Sequence, residues 1–244
     1  MNKNLIDVHT HTVLSTHAYS TLLENAKYAS QINLKYLGVS DHGPAIPGGQ
    51  HIFAIYNMKV IPEYIEGVRI LKGVELNIMD KEGNLDIEQS VLKKLDYTIA
   101  SLHVPVVKPE LSEAEVTKIY LNVCDNPLVT ILGHIGDQRF KCNYREVVKK
   151  AKATSTLIEI NNSSLTKGSS RVNCYANLKE VLNLCKEYSC PIIINSDAHI
   201  CFSISQFEIA EALIKEVDFP SELIVNYHED LIQKYFFQKA NENY

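Results

Sequence analysis

Seven of the nine histidines in the chain fall where chemistry could use them. Three of them, His9, His11 and His17, lie in "LIDVHTHTVLSTHAYST" (5–21). His42 ends "YLGVSDH" (36–42), His103 ends "YTIASLH" (97–103), His134 ends "VTILGH" (129–134), and His199 ends "PIIINSDAH" (191–199). Two acids join them: Glu75 in "ILKGVEL" (70–76), and Asp197, two residues before His199. An isolated histidine at the end of an apolar run is usually a hydrogen-bonded or capping residue, and H-x-H alone is a weak motif. A lone strand-end acid is usually solvated or salt-bridged. The repetition is what matters: nearly every apolar run carries an imidazole or carboxylate at its end, and only His51 and His228 fall outside the pattern. These residue types at these places read as a metal site.

The elements that must position them are legible in the same runs. Short β-branched stretches, including "TLIEINNS" (156–163), alternate with amphipathic segments at 20–33, 112–124, 144–153 and 176–188. Strand and helix patterns in alternation imply parallel βαβ units, whose buried strands read as continuous apolar runs. About seven such units predict an α/β fold near the TIM type, with an open doubly wound sheet as the alternative. In such a barrel the carboxyl ends of the strands share one rim. Residues two apart in a strand point the same way, so His9 with His11, and Asp197 with His199, can each grip one ion. The chain, 1–244, carries no linker-like tract and reads as one domain, with 226–244 as a closing helix that frays at its polar end.

Composition excludes several function classes. A 45% hydrophobic fraction supports a sizeable core, and a net charge of −5 argues against the basic stripe that a nucleic-acid-binding surface needs. A phosphorylated substrate remains compatible, because bound metal ions can supply positive charge. The six cysteines form no C-x-x-C pair and read as reduced, buried thiols. The amino-terminal "MNKNLIDVHTHT" lacks the apolar segment of a signal peptide, and no apolar run approaches membrane-spanning length. The expectation is a cytoplasmic protein without a nucleic-acid or membrane partner, and an oligomer is compatible with the sequence.

Seven imidazoles and two carboxylates exceed what one ion can use, since zinc takes about four ligands. They suit two or three divalent ions, with Glu75 or Asp197 available to bridge. Imidazole with carboxylate fits zinc or iron, with manganese a further candidate. Clustered ions produce hydroxide near neutral pH and clamp both ends of a displacement at phosphorus, which points to metal-assisted hydrolysis.

The stretches "DVHTHTVLSTHAYST", "VSDHGP", "KGVELNI", "IASLHVP", "ILGHIGD", "EINNSS" and "NSDAH" resemble, in order, the motifs of the PHP (polymerase and histidinol phosphatase) superfamily, and most closely its YcdX-like phosphatase subgroup. The resemblance runs nearly end to end. It implies a distorted (βα)7 barrel with a trinuclear site at the C-terminal rim, holding three divalent ions, zinc first among them. It assigns His9, His11, Glu75 and Asp197 to one ion. Glu75 would bridge to a second, held also by His103 and His134, and His17, His42 and His199 would hold the third. The stretch "GHIGD" and the loop "PAIPGGQHIFAIYNM" (44–58) depart from the family pattern where substrate choice would be made.

The reading that follows is a phosphomonoesterase acting on a small phosphorylated substrate. In it a hydroxide between the Glu75-bridged ions attacks phosphorus, Glu75 and Asp197 position it, and the third ion neutralises the phosphate. Lys167 and Arg171 in "LTKGSSRVNC" (165–174) are candidates for the phosphate oxygens, with Arg171 the better bidentate clamp. His51 reads as an exposed histidine, with a loop-borne proton donor as the alternative. Two rivals remain. Amidohydrolases also open with H-x-H, but often use a modified lysine at the fourth strand, where this chain has His103. A non-catalytic metal-binding PHP module is the other.

Overall fold

The computed structural model describes residues 3–238. Its strands are β1 (Ile6–Asp7), β2 (Tyr36–Val39), β3 (Tyr64–Ile65), β4 (Val68–Lys72), β5 (Glu75–Asn77), β6 (Ile99–Ser101), β7 (Ile131–Leu132), β8 (Leu157–Asn161) and β9 (Ile192–Asn195). The helices are α1 (Leu22–Gln31), α2 (Ile52–Tyr56), α3 (Gln89–Leu92), α4 (Glu113–Cys124), α5 (Tyr144–Thr154), α6 (Cys174–Tyr188), α7 (Glu208–Glu216) and α8 (Glu229–Phe236). The sequence supplies their ends. Thr21 with Glu24, and Ser112 with Glu115, form capping boxes that satisfy the first amides of α1 and α4. Ser155 and Ser189 close α5 and α6 in the left-handed conformation.

The strands lie in two sheets, ordered β1-β2-β4-β3 and β5-β6-β7-β8-β9. All pairings are parallel except the β3–β4 hairpin, whose turn residues Glu66 and Gly67 both have positive φ, the backbone of a tight primed turn. The third apolar run divides in two. Its first half, β4, continues the ladder from β2, and its second half, β5, begins the other sheet. Parallel bridges join the sheets at both edges: His42 to Glu75 on one side, Thr10 to Ala198 on the other. At the second edge His11 N donates to Ala198 O at 2.8 Å and Ala198 N donates to His9 O at 3.2 Å. The seven expected runs therefore stand side by side as a distorted (βα)7 barrel, as predicted. The residues that complete the ring are ligand candidates or their immediate neighbours.

Two packed layers fix this frame. Outside the strands, Val116, Val147, Leu178, Val181 and Leu213 of the helices cover Ala100, Leu132, Ile158 and Ile194. Inside, Ile6, Val8, Tyr97, Ile99 and Ile193 meet Ile232, Tyr235 and Phe236 of α8. Tyr97 fills the middle and donates to Val8 O at 2.6 Å. A Cβ at Gly38 in β2 would meet the Tyr97 hydroxyl at 2.3 Å, and one at Gly73, between β4 and β5, would meet its ring at 2.3 Å, so both positions need glycine. The metal-ligand candidates lie at the end of the barrel away from α8. The expected tail helix is seen over 229–236; residues 239–244 of that segment lie outside the described residues.

Candidate metal centre

Most of the candidates are delivered by the same local device. An apolar run stays paired while buried, and a polar residue follows where pairing ends at the rim. His9 and His11 follow β1, His42 follows β2, Glu75 opens β5, His103 follows β6, His134 follows β7, and Asp197 and His199 follow β9. His17 arrives from the turn before α1. All nine candidates come together. Glu75 is the hub: its Oε2 lies 2.7 Å from His42 Nδ1, 3.3 Å from His9 Nε2 and 3.6 Å from His11 Nε2. Its Oε1 lies 3.1 Å from His103 Nε2 and 3.0 Å from His134 Nε2. Asp197 Oδ1 is 3.2 Å from His11 Nε2 and 3.5 Å from His9 Nε2. His17 and His199 face each other with Nε2 atoms 2.9 Å apart.

This crowding is not a satisfied hydrogen-bond network. His9 Nε2, His11 Nε2, His42 Nδ1 and Glu75 Oε2 are buried and lack a hydrogen-bond partner. Buried polar atoms without partners cost roughly 1–3 kcal/mol each, so four converging on one point require an occupant. The donor set fits divalent cations: His9, His11 and Glu75, His42, Glu75 and His103, and His11, His42 and His199 each offer atoms within 4.8 Å of one another. Described residues thus provide several overlapping sets of three.

Electrostatics agree with that fit. Burial would push the Glu75 carboxyl up, but His9, His103 and His42 hold it well below the usual range. Burial acts likewise on Asp197, and His9 and Arg171 outweigh it. Both acids are therefore ionised. Burial, helped by His42 and His199, pushes His11 well down, and burial with Arg171 brings His134 down to about 4. Neutral rings present the lone pairs that a metal needs. For His9, burial opposes the proton, yet Glu159, Glu75 and Asp197 together hold its pKa well above normal.

A second layer, not foreseen from the sequence, aims these rings. Glu159 in β8 has one oxygen 2.7 Å from His9 Nδ1, and its other oxygen accepts from His134 N at 2.7 Å. Ser15 Oγ lies 3.0 Å from His11 Nδ1 and donates to Asp41 at 2.6 Å. Asn77 Oδ1 lies 2.7 Å from His103 Nδ1, while Asp86 accepts from the Asn77 amide at 2.6 Å. His199 Nδ1 lies 3.0 Å from Asp197 O. In each ring the outward nitrogen is engaged and Nε2 faces inward, which is how outer partners orient metal-binding imidazoles. Two ligand candidates also sit in the left-handed region, His134 at φ 31° and Asp197 at φ 56°. Such backbone costs about 1–3 kcal/mol for a non-glycine residue and persists where neighbours fix it, here Glu159 for His134 and Arg171 for Asp197.

The remaining candidates separate. Arg171 reaches the cluster, its NH1 donating to Asp197 Oδ2 at 2.9 Å and Ser164 Oγ at 3.1 Å. Lys167 is exposed on the adjoining loop. His51 is exposed, and its Nδ1 accepts from Phe53 N to cap α2. The six cysteines are free, and all but Cys201 are buried. No helix of the described residues is long and apolar enough to cross a membrane.

Comparison with known proteins places this arrangement. The family model described as "PHP domain" matches residues 7–165, from the start of the barrel through β8. A protein of Clostridium novyi (strain NT) named a probable phosphatase is 49% identical over 238 residues, covering 98% of this chain and 96% of its own. One from Caldanaerobacter subterraneus subsp. tengcongensis, named likewise, is 42% identical over 238 residues, covering 96% and 92%. Among solved structures, the histidinol phosphate phosphatase of Lactococcus lactis, complexed with zinc, L-histidinol and phosphate, shares the fold. Its TM-score is 0.62 at 16% identity, covering 89% of this chain and 95% of that one. Ordered motifs, barrel and rim cluster agree with the family model and with near-full-length relatives: the chain belongs to the PHP domain family.

Proposed function

We propose that the chain is a metal-dependent phosphomonoesterase with three divalent ions, zinc by preference, acting on a small phosphorylated substrate in the cytoplasm. The observation that carries this reading is the convergence of the unpartnered buried atoms of His9, His11, His42 and Glu75 at the barrel rim. The phosphatase names of the relatives and the zinc and phosphate held by the Lactococcus lactis protein support it.

In this reading His9, His11, Glu75 and Asp197 would hold one ion, and His103 and His134, with Glu75, would hold a second. His17, His42 and His199, with ring centroids 4.6–6.1 Å apart, hold the third. Ions bound there would supply a water of lowered pKa and would offset the charge of the phosphate.

The chain's own residues do the rest. Ionised Glu75 and Asp197 give the centre the negative charge that retains cations in a buried setting. Glu159, Ser15 and Asn77 hold the His9, His11 and His103 rings so that nothing reorganises during turnover. Arg171 spends one terminal nitrogen on Asp197 and Ser164, and its other N–H donors are free to take phosphate oxygens. Lys167, on the same loop, adds longer-range attraction for the incoming anion.

The test is hydrolysis of p-nitrophenyl phosphate and bis-p-nitrophenyl phosphate by stripped and metal-reconstituted protein. Metal-dependent turnover favouring the monoester is expected. Full metal occupancy with no turnover of either compound would instead make the chain a non-catalytic metal-binding module.

A further inference from the structure

Beside the rim cluster lies a cavity of about 420 Å³, bordered on its inner side by His17, Asp197 and His199. A phosphate held at the centre would direct its alcohol portion into this space, which lies in the size range of small-molecule sites. Its wall comes from three segments, 17–19, 162–166 and 196–206. None of it comes from the loop 44–58 or from "GHIGD", the stretches from which substrate choice was expected.

Away from His17, Asp197 and His199 the wall carries no charged side chain. Asn162, Ser163, Ser203 and Gln206 contribute uncharged polar groups, and Tyr19 and Ile200 contribute apolar surface. Asn162 Oδ1 is committed to the amides of Ile209 and Ala210, which fixes the side chain. Gln206 Nε2 donates to Phe202 O at 2.8 Å, leaving its Oε1 to accept from a ligand. Tyr19 N donates to His199 O at 2.8 Å, yet the residue is 77% exposed at the cavity mouth. Asp197 is the one carboxylate in the wall, and its Oδ2 already accepts from Arg171 and Asn161. No carboxylate is left over to neutralise an ammonium group.

Resting on the phosphatase reading, the geometry points to a substrate whose leaving group is an uncharged polyhydroxylated alcohol: a polyol or sugar monophosphate. Hydroxyl groups match the amide and hydroxyl wall. The C–H faces of such a molecule match the Tyr19 ring and Ile200 at the mouth. An aminoalkyl phosphate would bring a cation into a wall with no free counter-charge and beside the metal ions. A plain alkyl phosphate would leave the polar groups of the wall without partners, which is how a hydrogen-bonding site rejects an analogue lacking the hydroxyl.

The experiment compares kcat/KM of metal-reconstituted protein on sorbitol phosphate, butyl phosphate, aminopropyl phosphate and p-nitrophenyl phosphate. Sorbitol phosphate should exceed both butyl and aminopropyl phosphate by at least about tenfold, two or more hydrogen bonds at roughly 1 kcal/mol each. Gln206→Leu and Ser163→Ala should each cut the sorbitol-to-butyl ratio by about fivefold, the worth of one such bond. Equal values for the three alkyl substrates, a preference for aminopropyl phosphate, or a ratio unmoved in both variants would overturn the inference while p-nitrophenyl phosphate turnover keeps the phosphatase reading. Loss of all four activities in metal-loaded protein would overturn that reading and the inference with it.

Discussion

Glu159 offers a sharp perturbation because its four hydrogen bonds are all accounted for. One oxygen lies 2.7 Å from His9 Nδ1 and accepts from Asn195 Nδ2 at 2.8 Å; the other accepts from His134 N at 2.7 Å and Asn161 Nδ2 at 3.2 Å. Glu159→Gln preserves the shape but leaves one acceptor oxygen. Whichever way the amide turns, its NH2 group faces two donors, so two buried hydrogen bonds are lost. If the amide nitrogen faces His9, the ring loses the partner that fixes its Nδ1 proton and orients Nε2. If it faces His134, the strained φ of 31° loses its anchor. Removing an outer partner of a metal ligand typically weakens metal binding by about 10–100-fold, and that is the expected loss for the ion held by His9. Competition with a chromophoric chelator, read against wild type, measures it. Metal affinity within about twofold of wild type would refute the claim that Glu159 aims His9 and His134.

Further outcomes follow from the same geometry. Asp197→Asn and His103→Ala should each abolish hydrolysis while the circular dichroism spectrum is retained, because rim ligands serve the site more than the core; near wild-type turnover at measured metal occupancy would remove that residue from the ligand set. Burial opposes a proton on His9, but Glu159, Glu75 and Asp197 outweigh it and favour the protonated ring without metal, so binding must expel a proton. Affinity should therefore fall as pH falls from about 7.5 to about 5.5, and pH-independent affinity by calorimetry would contradict this. Gly73→Ala would drive a Cβ to 2.3 Å from the Tyr97 ring. Overpacking of this kind costs about 1–3 kcal/mol. At about 2–4 °C per kcal/mol for this chain length, a melting point lowered by at least about 2 °C is expected, and an unchanged one would place Tyr97 elsewhere.

The ligand candidates were legible because a parallel barrel confines them to the ends of apolar runs. Each strand must be apolar while paired and can turn polar only at the rim, so His42, His103 and His134 stand at the ends of apolar runs. The outer layer was written more faintly. Glu159 interrupts "TLIEINNS", where a buried strand has no need of an acid, and Asn77 stands two residues after Glu75 on the same side of β5. Both signals are visible once the fold says which way the side chains point. The break between β4 and β5 was not legible, since "ILKGVEL" reads as one strand and only the approach of Tyr97 shows why Gly73 is there. The hairpin strand β3 was missed because two exposed or half-buried residues carry no apolar period. His51 and Lys167 show the limit of residue type alone: one caps a short helix, and the other is exposed beside the site.

We propose that the rim cluster forms one multinuclear centre with Glu75 at its hub. Elemental analysis of the purified chain, after reconstitution with zinc and removal of loosely bound metal, tests it most directly. Three ions per chain are expected, with the Glu75→Gln variant losing the two that share Glu75 and keeping the ion held by His17, His42 and His199. One ion or fewer per wild-type chain, or a variant that retains the full complement, would contradict it.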